Sequence, residues 1–164
     1  MSLDFYADLD RLIFTASEVQ RQMPIEPGRL QMLMKRHFPS SEAAQKGRGY
    51  RRPYTPRMII WIAFTNQLMN LGMSMGLASR LSRFAFSGSM DADFRQLAAS
   101  DDPESVRRIG RQVAVYRHVA GREPAMSLVD FDAVRPDGAK VLVPFGLMLL
   151  ELAWRFKIAP LHKS

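Results

Sequence analysis

The sequence predicts a mainly α protein. A helix-turn-helix domain spans residues 13–86, behind a short N-terminal arm (1–12) and ahead of a linker (87–104) and a small C-terminal α+β appendage (105–164) of short strands and one helix. Three observations lead to this fold class. Two short helical patterns, each with its own start signal, flank a tight connection around Pro24; a helical run that is apolar nearly all round follows them; and beyond residue 105 the hydrophobic period changes from 3.6 to 2. The 164 residues, 47% hydrophobic, suffice for one domain with an appendage and exclude a disordered or low-complexity chain.

The first helix starts at Phe14-Thr15-Ala16-Ser17-Glu18-Val19, which reads as a capping box: Thr15 Oγ1 accepts from the Glu18 N–H and the Glu18 carboxylate returns to the Thr15 N–H. Phe14 and Val19 are spaced for a hydrophobic staple. Pro24 biases Met23 out of helical geometry, so this helix stops near Gln22. The second helix begins at Pro27, whose missing N–H costs nothing at the first helical position, and Leu30, Leu33 and Met34 mark its buried face. Two short helices joined this way form a unit whose second member fits a DNA major groove.

Residues 37–54 have no helical period and read as a loop. At its centre Lys46-Gly47-Arg48-Gly49-Tyr50-Arg51-Arg52 sets four cations and an aromatic around two glycines, suited to a basic finger along a phosphate backbone. Thr55-Pro56 then starts the central core helix (Met58, Ile59, Ile60, Trp61, Ile62, Phe64, Leu68), Gly72 breaks it, and 74–84 form a further short helix packing Leu77, Ala78 and Leu81. Residues 58–79 lack charge, which raises a membrane-spanning alternative. Thr65, Asn66, Gln67 and Asn70 at mid-span, and the dividing Gly72 and Gly76, argue for two helices outside a membrane.

After the acidic linker, β-like runs are expected over 112–119, where Val113 and Val115 alternate with other residues, over 126–131 and over 140–143. An amphipathic helix from Phe145 to Lys157 ends the pattern. This appendage is too small for a comfortable core of its own, so its apolar face is expected to pair with another subunit or with the first domain; Leu147, Leu150 and Trp154 are the candidates for homodimerisation.

Charge sharpens the functional reading. The net charge is +7, and residues 20–60 alone hold nine basic and two acidic residues, a net +7 in 41 positions. Each cation that neutralises a phosphate releases a counterion and strengthens binding, so this segment suits a polyanion. With no cysteine, disulfides, thiolate metal sites and cysteine nucleophiles are excluded. Asp4, Asp8 and Asp10 argue against a targeting segment, and a cytoplasmic, nucleoid-associated location is expected.

Residues 13–86 resemble the winged helix-turn-helix DNA-binding domain of the MerR family of transcriptional regulators. The resemblance rests on Phe14-Thr15-Ala16-Ser17-Glu18-Val19, Ile25-Glu26-Pro27-Gly28-Arg29-Leu30, Gly49-Tyr50-Arg51-Arg52-Pro53-Tyr54-Thr55 and Asn70-Leu71-Gly72-Met73-Ser74-Met75, in register. It implies that residues 27–36 form a recognition helix and that the basic loop is a wing. Pro24 stands where the family's turn has glycine, Glu26 where it has a capping Ser or Thr, and Gln31-Met32 where an Arg and an aromatic are common. Arg29 and Gln31 are the candidates for base edges, since Arg pairs bidentately with guanine and Gln with adenine. Ser17, Lys35, Arg48, Arg51, Arg52 and Tyr54 are the candidates for phosphates.

No phosphate-cradling glycine loop, paired-histidine helix or nucleophile elbow is present, His37, His118 and His162 are widely spaced, and Asp130 and Asp132 complete no ligand set. The expected protein is therefore not an enzyme and holds no cofactor or metal. It is expected to regulate transcription by binding double-stranded DNA, as a homodimer that answers to an unidentified small-molecule or protein effector, without a membrane partner. Two alternatives stay open: an architectural, excisionase-like DNA-bending protein, and a protein-interaction module on the same fold that has lost DNA binding.

Overall fold

Local chemistry places the helices where their start signals stand. In a computed structural model the described residues are 9–10, 14–37, 54–83, 103–117, 125–134 and 140–156. Helix α1 runs Ala16–Gln22 and α2 runs Pro27–Arg36. The capping box of α1 is complete: the Thr15 N–H donates to Glu18 Oε2 at 2.7 Å and the Glu18 N–H to Thr15 Oγ1 at 3.3 Å. Phe14 and Val19 are both buried, as a staple requires, and Leu30, Leu33 and Met34 form the inner face of α2. Glu26 precedes α2 without a side-chain cap.

Helix α3 (Pro56–Asn70) starts on Thr55, whose Oγ1 accepts from the Met58 N–H at 3.4 Å, and is buried along most of its length. Gly72, at φ +89°, turns the chain into α4 (Met75–Leu81), which Ser74 caps. Left-handed backbone of this kind favours glycine, and it divides the uncharged 58–79 run into two helices. Among the described residues no helix is long and apolar enough to cross a membrane. Trp61 donates from Nε1 to the Ser79 carbonyl at 3.4 Å and so ties α3 to α4. Thr65 lies on α3 with no exposure, and among the described residues its Oγ1 has no hydrogen-bond partner. Removing an unsatisfied buried hydroxyl while keeping the shape recovers its desolvation cost, so Thr65→Val should stabilise the fold by about 1 kcal/mol, read as a raised thermal midpoint.

The C-terminal part consists of α5 (Pro103–Gly110), β1 (Gln112–Arg117), β2 (Ala125–Asp130), a 3-10 turn (Phe131–Ala133), β3 (Lys140–Val143) and α6 (Phe145–Phe156). β1 is the middle strand of an antiparallel sheet in the order β2-β1-β3, with Ala114 opposite Leu128 on one side and Val143 on the other. Helix α5 is an element the sequence pattern missed: it begins inside the expected linker, and Ile109 is its one buried apolar side chain among those described. Both faces of β1 are buried: the common core takes Ala114, with Tyr116, Met126 and Leu128 packed against it, and Val113 and Val115 are buried on the opposite face.

The C-terminal part packs on the N-terminal helices, one of the two partners expected for its apolar face. One hydrophobic cluster runs from Leu9, Phe14 and Val19 through α3 to Phe145, Leu149, Leu152 and Phe156. Phe14 meets Phe156 and Phe64 meets Phe145 edge to face, each with ring centroids 5.0 Å apart. Arg155 donates from Nη1 to the Gln22 carbonyl at 2.8 Å, closing one of the orphan carbonyls at the end of α1. The three strands and α6 cannot bury a core alone, and the first domain supplies the missing surface.

Candidate nucleic-acid interface

Helix α2 presents two chemically distinct sides. Leu30, Leu33 and Met34 face inward, while Gln31, Met32, Lys35 and Arg36 are exposed. Gln31 and Lys35, four residues apart, share one outer face. Ser17 is exposed in the first turn of α1. The only acidic side chain from Gln20 to His37 is Glu26, so this face is cationic.

Arg29 is half-buried and turned onto α3. Its Nη1 donates to Asn66 Oδ1 at 3.0 Å and to Asn70 Oδ1 at 3.2 Å, so α3 fixes the angle at which the side chain leaves α2. Among the described residues Nε and Nη2 have no partner, and that pair of donors is an edge with the geometry of a bidentate contact. These two asparagines, at separations of 37 and 41 residues, are positioning residues that the sequence pattern did not reveal. Their polar character in an otherwise apolar helix was the available signal.

Tyr54 is tied to the residue that precedes the cap of α1. Phe14 and Tyr54 form an isolated antiparallel bridge, Phe14 N–H to Tyr54 O at 2.8 Å and Tyr54 N–H to Phe14 O at 2.9 Å, which brings residue 54 beside the start of α1. Arg48, Arg51 and Arg52 lie outside the described residues. Tyr54, expected to face phosphate, is only 6% exposed. Its place in the core follows from the bridge, which turns this end of the segment inward. Arg57, one helical turn further on, is engaged by Asp10 through Nε and Nη2, both at 2.8 Å.

The remaining candidates fall into place on α6 and the sheet. Leu147 (58% exposed) and Trp154 (61%) are seven residues apart and share an outward face, whereas Leu150 is partly buried against the core. Asp130 and Asp132 both pair with Arg111, and Asp130 also accepts from the Asp132 N–H at 3.0 Å, so the two carboxylates serve a local ion-pair network. Among the described residues no three His, Asp or Glu side chains are grouped to hold a metal ion. A cleft of about 120 Å³ lies behind Arg29, where Gln22–Pro24, α3 and α6 meet, lined by Asn66, Gln67, Glu151 and Arg155 among others. Gln67 Oε1 is buried without a partner. No family model, curated protein or solved structure matches this chain.

Proposed function

We propose that this protein is a transcriptional regulator that binds duplex DNA through α2 and the basic segment following it, on a MerR-like winged helix-turn-helix. The observation that carries the reading is the outer face of α2: Gln31 and Lys35 are exposed together on a helix held by three buried apolar residues, while Arg29, on another side of α2, is held by Asn66 and Asn70. A helix held in place with a polar, cationic outer face is what major-groove reading requires, and the Phe14–Tyr54 bridge sets Tyr54, which follows the basic segment in sequence, beside the start of α1. Lys35, Arg48, Arg51 and Arg52 supply phosphate contacts; Arg29 and Gln31 supply base contacts. Leu147 and Trp154 are the surface for a second copy, as dimeric readers of two half-sites need.

Selection of bound duplexes from a random-sequence pool tests this reading. The wild type should enrich a defined half-site. Arg29→Ala should lose preference at one guanine position by about tenfold, the discrimination expected of one bidentate pair, while overall affinity changes less. A pool with no enriched sequence and no retained duplex contradicts the proposal. The two exposed apolar side chains of α6 also favour a second reading, an interaction module for another protein. That reading predicts no duplex retention and loss of partner binding on Trp154→Ala.

A further inference from the structure

A different cationic feature lies at the other end of α2. Arg36 and His37, its last turn, face Ser74, Ser79, Arg80 and Arg83 across a recess of about 490 Å³. Arg36, Arg80 and Arg83 are exposed, and among the described residues none of the three has a hydrogen-bond or ion-pair partner. The contrast within the molecule is informative. Arg57, Arg107, Arg111 and Arg155 are each neutralised by a carboxylate on their own surface. Among the described residues no acidic side chain lines the recess, so three like charges share it without a described carboxylate beside them.

The neutral donors fit the same picture. Ser74 Oγ accepts from the Leu77 N–H at 3.4 Å as the cap of α4, which leaves its O–H to donate outward. Ser79 is already committed to the Gly76 carbonyl at 3.2 Å and shapes the wall. Guanidinium groups match the oxygen geometry of phosphate two at a time, and a recess of this volume accommodates a ligand larger than one phosphate ion.

We infer that this recess is a phosphate-binding site for a compact polyanion carrying at least two phosphate groups, with Arg36, Arg80 and Arg83 as its charge partners and Ser74 as a neutral donor. Arg36 lies two turns along α2 from Arg29, about 10 Å away, and the site does not depend on the regulator reading. The phosphates come either from a free diphosphate-bearing small molecule or from the backbone of a duplex, and the shared recognition chemistry is the same.

Calorimetric titration of the full-length protein with inorganic pyrophosphate tests the inference, beside duplex binding measured by fluorescence anisotropy. The wild type should bind one pyrophosphate saturably. Arg80→Gln with Arg83→Gln should weaken it at least tenfold while circular dichroism and the thermal midpoint stay unchanged, since both side chains are exposed. Arg108→Gln, an exposed arginine on α5, is the control and should leave binding unaltered. If duplex affinity falls in the same double variant and pyrophosphate competes with duplex, the site holds backbone phosphates; if duplex affinity is unchanged, it holds a free ligand. Absence of saturable pyrophosphate binding by the wild type, or a double variant that binds as the wild type does, overturns the inference.

Discussion

Gly146→Ala should lower the stability of the whole chain by about 3 kcal/mol or more, a drop in thermal midpoint of roughly 6–12 °C for a protein of this size. Gly146 is the second residue of α6 and lies against the end of α5. A Cβ there would overlap the Ile109 carbonyl oxygen and come within 3.1 Å of the Gln112 backbone nitrogen. Both neighbours are main chain, so no side-chain rotation relieves the overlap, and either α5 or α6 must move. Because Phe145 and Phe156 of α6 pack on Phe64 and Phe14, the displacement reaches the frame that supports α1 and α2. Duplex binding should weaken with it. Gly28→Ala is the control, since a Cβ at residue 28 meets nothing within 4 Å. A Gly146→Ala protein with wild-type stability would contradict the close approach of the two helices.

Arg51→Ala combined with Arg52→Ala should reduce duplex affinity about tenfold or more at moderate salt, equally for all sequences. Two lost phosphate contacts should also flatten the dependence of log K on log salt by about 1.8, at roughly 0.9 for each contact. The selected half-site should not change, in contrast to Arg29→Ala. Anisotropy titrations against the preferred duplex and against a scrambled one, at several salt concentrations, make the comparison. Equal and small effects from the two replacements would refute the division of roles between base and backbone contacts.

What the sequence made legible was local. The Thr15–Glu18 capping box, the Thr55-Pro56 start, the Pro27 start and the three-and-four spacing of Leu30, Leu33 and Met34 each depend on residues within one or two turns, and the structure places those elements as expected. The three strands and α6 were also readable, because β-branched runs and a twelve-residue apolar period are short-range signals. What escaped depends on distant partners. Among the described side chains of helix α5 Ile109 is buried and Val106 half-buried, so its apolar pattern is faint until α6 packs on it. The single core through Phe14, Phe64, Phe145 and Phe156 joins residues far apart in the chain, which periodicity cannot register.

The candidate site divides in the same way. Gln31 and Lys35, candidates drawn from the resemblance to a recognition helix, are exposed on α2. The anchoring of Arg29 by Asn66 and Asn70 and the inward turn of Tyr54 both come from contacts across the fold. The Arg36–Arg83 recess belongs to this class too: its cations come from two separate helical segments, and no linear motif announces them.

The central claim is that the cationic surface built on α2 and the basic segment binds the backbone of duplex DNA. A salt titration of duplex binding by the full chain measures it most directly. The account predicts saturable binding at low salt and a linear fall of log K with log salt, with a slope of about −4 per chain from Lys35, Arg48, Arg51 and Arg52. Binding that is absent at low salt, or an affinity that salt leaves unchanged, would contradict it.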